Sequence, residues 1–141
     1  MPYCFEYDAG GRILRCEGWD RISDAEMREV HRRLYRYFES LQPAVFIMDA
    51  SRITAFDVKS ETMRYLASGT PPGPRDIPRY IVASSAFMYG MARMFQIYAD
   101  EHLPNLRVVR SLADALRDLG VSGARFEALP QEFAAQQDGG V

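Results

Sequence analysis

A chain of 141 residues, 48% hydrophobic and 26% charged, suffices for one domain with a real core and is short for two. Seventeen basic residues against nineteen acids leave a slightly negative chain, so a nucleic-acid grip by bulk charge is not expected. No apolar run approaches the roughly 20 residues that span a bilayer, and Glu6 and Asp8 interrupt any leader-like start, so no membrane span and a cytoplasmic location are the default expectations.

Tyr3, Phe5 and Tyr7 alternate with Cys4 and Glu6, the pattern of a strand with one buried face. Asp8-Ala9-Gly10-Gly11 supplies turn chemistry, and Arg12 to Glu17 returns as the second strand of a hairpin. Pairing Tyr7 with Arg12 sets Cys4 opposite Arg15 and Cys16 on the other face. Free thiols are therefore favoured, although a one-residue slip would bring the two cysteines together. Gly18 to Arg21 reads as a connector, with Trp19 covering one end of the core.

Ser23-Asp24-Ala25-Glu26 is a capping box, and Met27, Val30, Leu34, Phe38 and Leu41 recur behind it at helical spacing. Arg28, Arg32, Arg33 and Arg36 are balanced by Asp24, Glu26, Glu29 and Glu39. That balance describes a solvated face with pairs such as Asp24–Arg28 and Glu29–Arg33. Pro43 ends the helix. The apolar run Ala44 to Met48 then suits a strand covered on both faces. It stops at Asp49, passes a polar turn, and reaches Asp57, placed to cap the next helix. That helix is expected to turn Val58, Thr62, Tyr65 and Leu66 inward.

Ser68 to Pro74 breaks the chain. Tyr80 to Ala83 is a further buried strand. Ser84 or Ser85 caps a helix with Phe87, Met91, Met94 and Tyr98 facing inward, and its outer side carries Tyr89 and Arg93, four apart and able to stack. Leu106 to Val109 is a third parallel strand, followed by a helix from Ser111 that Gly120 ends. The whole is an α/β domain over residues 1–121, with a mixed sheet of about five strands and about four helices. Residues 122–141 form a tail in which Phe126, Leu129 and Phe133 can fold back while Gln136 to Val141 stay loose.

The order of these elements, with Phe46-Ile47-Met48-Asp49-Ala50-Ser51-Arg52-Ile53-Thr54-Ala55-Phe56-Asp57 at its centre, resembles the STAS domain of bacterial anti-sigma-factor antagonists. The stretch Ile81 to Phe95 looks like a subgroup of bacterial STAS-like proteins. The resemblance covers roughly residues 3 to 120 as a pattern, but only Asp49 to Asp57 as a motif. It implies a non-enzymatic regulatory domain working through protein contacts. The position matching the family's phosphate-accepting serine holds Lys59, so the usual switch is absent as written; Ser60 follows, where a plain first-turn residue is the favoured reading.

In open α/β sheets ligands gather at the carboxyl ends of strands, a rim expected to hold Asp49, Ser51, Asp57, Ser84, Ser85, Arg110 and Ser111. Helix capping accounts for each serine and aspartate without a ligand. Neither serine lies in a nucleophile elbow, neither histidine is placed to serve one, and no phosphate loop, dinucleotide fingerprint or zinc spacing is present. No cofactor and no catalysis are expected. The candidate contact surfaces are the Asp57–Lys59–Ser60 helix start and the Tyr89–Arg93 face, serving a homodimer or a protein partner. The alternative is a small-ligand or lipid binder using an apolar pocket beside the third helix.

Overall fold

The computed structural model describes residues 1–130. Its elements run β1 (Tyr3–Asp8), β2 (Ile13–Ser23), α1 (Asp24–Leu41), β3 (Val45–Asp57), α2 (Ser60–Ser68), β4 (Arg79–Val82), α3 (Ala86–Tyr98), β5 (Leu106–Val109), α4 (Leu112–Leu119) and β6 (Glu127–Ala128). One mixed sheet holds all six strands in the order β5-β4-β3-β2-β1-β6. β1 is antiparallel to β2 and β6, while β2 to β5 are mutually parallel.

Alternation along the strands divides the core between two faces. Phe46 joins Tyr3, Phe5, Leu14 and Cys16 under α1, and Ala50 and Ile53 continue that face beneath α3. Val45, Ile47, Tyr80 and Val82 point the other way and pack on α4. The run from Val45 to Ile47 is thus sandwiched in mid-sheet, Ile47 with no exposure at all. Nothing past Val109 was expected to pair, yet β6 hydrogen-bonds to β1, so the opening hairpin is not an edge. Phe126 and Leu129 both pack on the core; Phe133 and the stretch from Gln136 to Val141 lie outside the described residues.

The hairpin register differs from the expected one by two residues: Tyr7 faces Leu14, Cys4 faces Glu17, and Cys16 faces Phe5. A two-residue offset keeps every side chain on its face, so the thiols remain apart and both cysteines are free. The loop is longer because the Asp8 carboxylate accepts the Gly11 N–H at 3.0 Å and Arg12 adopts a left-handed φ of 53°.

The larger correction concerns β2 and β3. Gly18 to Arg21 is no connector, and Asp49 to Asp57 is no turn. Both strands run on, paired in parallel through Ser23 and Asp57, with irregularities between Glu17 and Trp19 and between Asp20 and Arg21. β4 pairs only as far as Asp49, so the extension is a two-stranded ribbon. Its outward residues meet water, and this is why Ser51, Arg52 and Thr54 read as a polar turn. Ile22 and Ile53 are buried on its inner side.

Asp57 therefore caps nothing. It ends β3 and pairs with Arg21 across the ribbon. The N-cap of α2 is Lys59, without a side-chain cap bond, and an acid from another helix serves the helix start. Asp24 Oδ1 accepts the Lys59 N–H at 3.0 Å while Oδ2 accepts Arg28 Nε. The Lys59 N–H first, then Thr62 and Arg28, hold the Asp24 carboxyl down to about 2. Within α2, Thr62, Met63, Leu66 and Ala67 turn inward. Tyr65, a third of a turn away from Leu66, is 67% exposed, contrary to expectation.

Candidate functional site

Helices α1, α2 and α3 do not fill the sheet face they share. An apolar cavity of about 130 Å³ lies between them and the strands. α1 brings Val30 and Leu34 to it because Ser23 and Glu26 close a reciprocal capping box that fixes the helix phase. α3 is started by Ser85, whose Oγ accepts the Met88 N–H at 3.1 Å, and this turns Met88 and Ala92 onto the sheet. Phe87, expected to face inward, is 57% exposed. The reason is compositional. α3 is apolar on nearly every side, so periodicity does not select a face, and contact with the sheet selects the flexible and small residues.

Five of the seven methionines line the cavity: Met27, Met48, Met63, Met88 and Met91. Unbranched thioethers repack at low cost, so such a wall adapts to an occupant. The few polar lining groups include Tyr3, His31 and Arg79. His31 packs edge-on against Tyr35 at 5.1 Å, and burial lowers its pKa, which keeps the imidazole neutral near pH 7. Arg79 opens β4 and is 4% exposed. Its guanidinium donates to the carbonyls of Pro72 and Pro74, the second at 2.9 Å, and lies over the Phe38 ring. Burial depresses the Arg79 pKa to about 10. This arginine fastens the proline-rich loop that closes one side of the cavity, and Tyr35 adds a bond to the Thr70 carbonyl.

None of the candidate site residues Asp49, Ser51, Asp57, Lys59, Ser60, Ser84, Ser85, Tyr89 and Arg93 lines this cavity, whose wall is made instead of residues expected only as core, such as Met27, Leu34 and Met91. Asp49, Ser51 and Ser84 do meet at the strand ends. Asp49 is 3% exposed, accepts Arg15 Nη2 at 2.7 Å, and holds the Ser51 N–H and hydroxyl on its second oxygen. Ser84 Oγ donates to the Ser51 carbonyl at 3.2 Å. These contacts occupy the groups with one another. Arg15 is the centre of a buried network on the α4 side of the sheet, with Glu6, Glu17 and Asp49 around it and the Phe126 ring 5.7 Å away. Burial pushes the Cys4 and Cys16 thiols up, so both stay protonated. Lys59 and the exposed Ser60 sit at the start of α2.

The expected Tyr89–Arg93 stack does not form. Arg110 lies 3.9 Å from the Tyr89 ring centroid, and Arg93 bonds Gln96 Oε1 at 2.7 Å. Gln96 in turn donates to the Leu106 carbonyl, which blunts the β5 edge. Tyr3 and Arg79 were missed because an aromatic on an alternating strand and an arginine before a strand are both ordinary. A charged residue opening the buried run Tyr80 to Ala83 was the one available signal.

No family model and no curated protein matches the chain. Among the described residues no cluster of His, Cys, Asp and Glu is arranged to hold a metal, and no helix is long and apolar enough to cross a membrane.

Proposed function

We propose that this chain is a non-catalytic, STAS-like module that takes a small apolar molecule into the cavity beneath α1, α2 and α3. The observation carrying this reading is the cavity itself. At about 130 Å³ it is close to the ~150 Å³ apolar cavity that stays dry and takes benzene in an engineered protein. Its lining of five adaptable methionines supports reversible occupation. The STAS-like part of the reading is supported by the antiparallel hairpin followed by sequentially paired parallel strands.

The reading is tested by titrating the protein with α-methylstyrene while following ¹³C-methyl signals of the methionines. The signals of Met27, Met48, Met63, Met88 and Met91 are expected to move while that of Met1, which is 67% exposed, stays. Ala92→Leu, which drives a larger side chain from α3 into the space, is expected to abolish the response. Unmoved lining methyls at saturating probe would end the ligand reading.

A second reading, self-association through α3, is favoured by one observation. Phe87, Gly90, Met94 and Ile97 fall within about a quarter-turn of the helix, Phe87 and Ile97 are 57% and 68% exposed, and a Cβ added at Gly90 meets nothing within 4 Å. Packing inside the monomer gives no reason for a glycine there, whereas close approach of the same helix from a second copy does. Gly90→Ala is expected to raise monomer stability by roughly 0.5–1 kcal/mol in urea titration and to weaken association in sedimentation. Association unchanged by both Gly90→Ala and Ile97→Glu rules this surface out.

A further inference from the structure

We propose that the free edge of β5 docks an acidic, extended segment of a partner protein, taken up as an added strand. β5 ends the sheet, with β4 as its one neighbour. The carbonyls of Asn105 and Val109 accept the Arg79 and Ala83 N–H groups at 3.1 and 2.9 Å, so the odd-numbered residues of β5 turn their peptide groups to β4. Those of Leu106, Val108 and Arg110 therefore turn outward. Leu106 is closed off, since its N–H donates to the Leu103 carbonyl at 3.2 Å and its carbonyl accepts from Gln96. The Val108 N–H and carbonyl and the Arg110 N–H have no such cover among the described residues. An uncovered edge of this kind is a template for strand addition.

Charge selects the occupant. An open groove of about 790 Å³ lies along this edge, flanked by residues of α3 and α4, and Arg93, Arg107, Arg110 and Arg117 line it. Asp114 and Asp118 are the only acids in that lining, so the groove is positive in a chain whose net charge is −2. Both acids are taken, Asp114 by Arg117 at 2.8 Å and Asp118 by Arg107 at 3.3 Å. Among the described residues Arg93 and Arg110 have no carboxylate partner; Arg93 holds Gln96 Oε1 and Arg110 lies over the Tyr89 ring. A strand laid beside Val108 sends alternate side chains to the α3 side, where these two arginines stand, so Asp or Glu at every second position meets them. A second copy of β5 would instead set the same arginines against each other, which disfavours self-pairing at this edge.

The test follows the fluorescence anisotropy of a labelled, end-capped octapeptide alternating Glu and Thr as the whole chain is added at low ionic strength. Arg93→Gln combined with Arg110→Gln, both exposed positions, is expected to weaken binding about tenfold, the sum of two surface charge contacts. Exchange of the Val108 amide hydrogen is expected to slow when the peptide is present. N-methylation of alternate peptide residues reads the added strand directly. In one phase the methyls face β5 and abolish binding; in the other they face away and leave it. No binding of the peptide, equal binding of its Gln-for-Glu counterpart, or full binding to the double variant overturns the proposal. So does the same result in both methylation phases. Citrate that competes as tightly as the peptide overturns it too, because the groove would then be a charge cluster with no use for an extended chain.

Discussion

Arg15→Met is expected to destabilise the fold by about 3–5 kcal/mol, the usual cost of removing one partner from a buried ion pair. The guanidinium side chain is 10% exposed and Asp49 only 4%, with Nη2 reaching Asp49 at 2.7 Å and Glu17 at 3.1 Å while Nη1 bonds Glu6. Methionine keeps much of the volume but leaves three carboxylates facing one another, with only the exposed Arg52 guanidinium, 3.6 Å from Glu17, to offset them among the described residues. Urea titration gives the number. Asp49→Asn in the same background should recover part of the loss, because the least hydrated of the three charges is then gone and the two changes do not add. Arg21→Met is the comparison: its partner is Asp57, the two side chains are 68% and 55% exposed, and the expected cost is at most ~1 kcal/mol. Similar losses for Arg15→Met and Arg21→Met would mean that the network is hydrated and contributes little.

Gly73→Ala is expected to cost about 2–5 kcal/mol in the same titration. Two effects add. Gly73 has a φ of +74°, where a Cβ costs roughly 1–2 kcal/mol. That Cβ would also stand 2.2 Å from Phe38 Cδ1 and 2.6 Å from Cε1, far inside contact distance, and overpacking of a core costs typically ~1–3 kcal/mol. The ring has little room to yield, being 5% exposed, edge-on to Phe46 at 6.1 Å and beneath the Arg79 guanidinium. Gly120→Ala separates the two effects, since Gly120 has a φ of +72° with nothing within 4 Å of an added Cβ. Its cost should stop at the backbone term. Equal costs at the two positions would show that the loop around Gly73 moves aside freely. In that case the loop is a poor wall for the cavity, whose lining includes Pro71 and Pro72.

Local signals in the chain located the starts of α1, α3 and α4 well, but not that of α2. Ser23 with Glu26, Ser111 with the Asp114 N–H, and Gly120 at φ 72° all behave as their residue types dictate, because each motif is closed within a few residues. The same holds for the core of the run Ala44 to Met48, whose unbroken apolar character suits a strand covered on both faces: Val45 to Ile47 are buried, while Ala44 precedes β3 and Met48 is half-buried. Pairing and facing were decided elsewhere. Asp49 to Asp57 alternates too weakly to read as strand, and only the partner β2 extends it; once extended, Asp57 is spent on Arg21, and Asp24, 33 positions earlier, meets the start of α2 in its place.

Which side of α3 turns inward, the late pairing of β6 with β1, and the unfilled space under three helices likewise depend on surfaces that meet only in the folded chain. A sequence states what each element can bury. The shape left between elements follows from how residues far apart along the chain pack, and no local pattern encodes that.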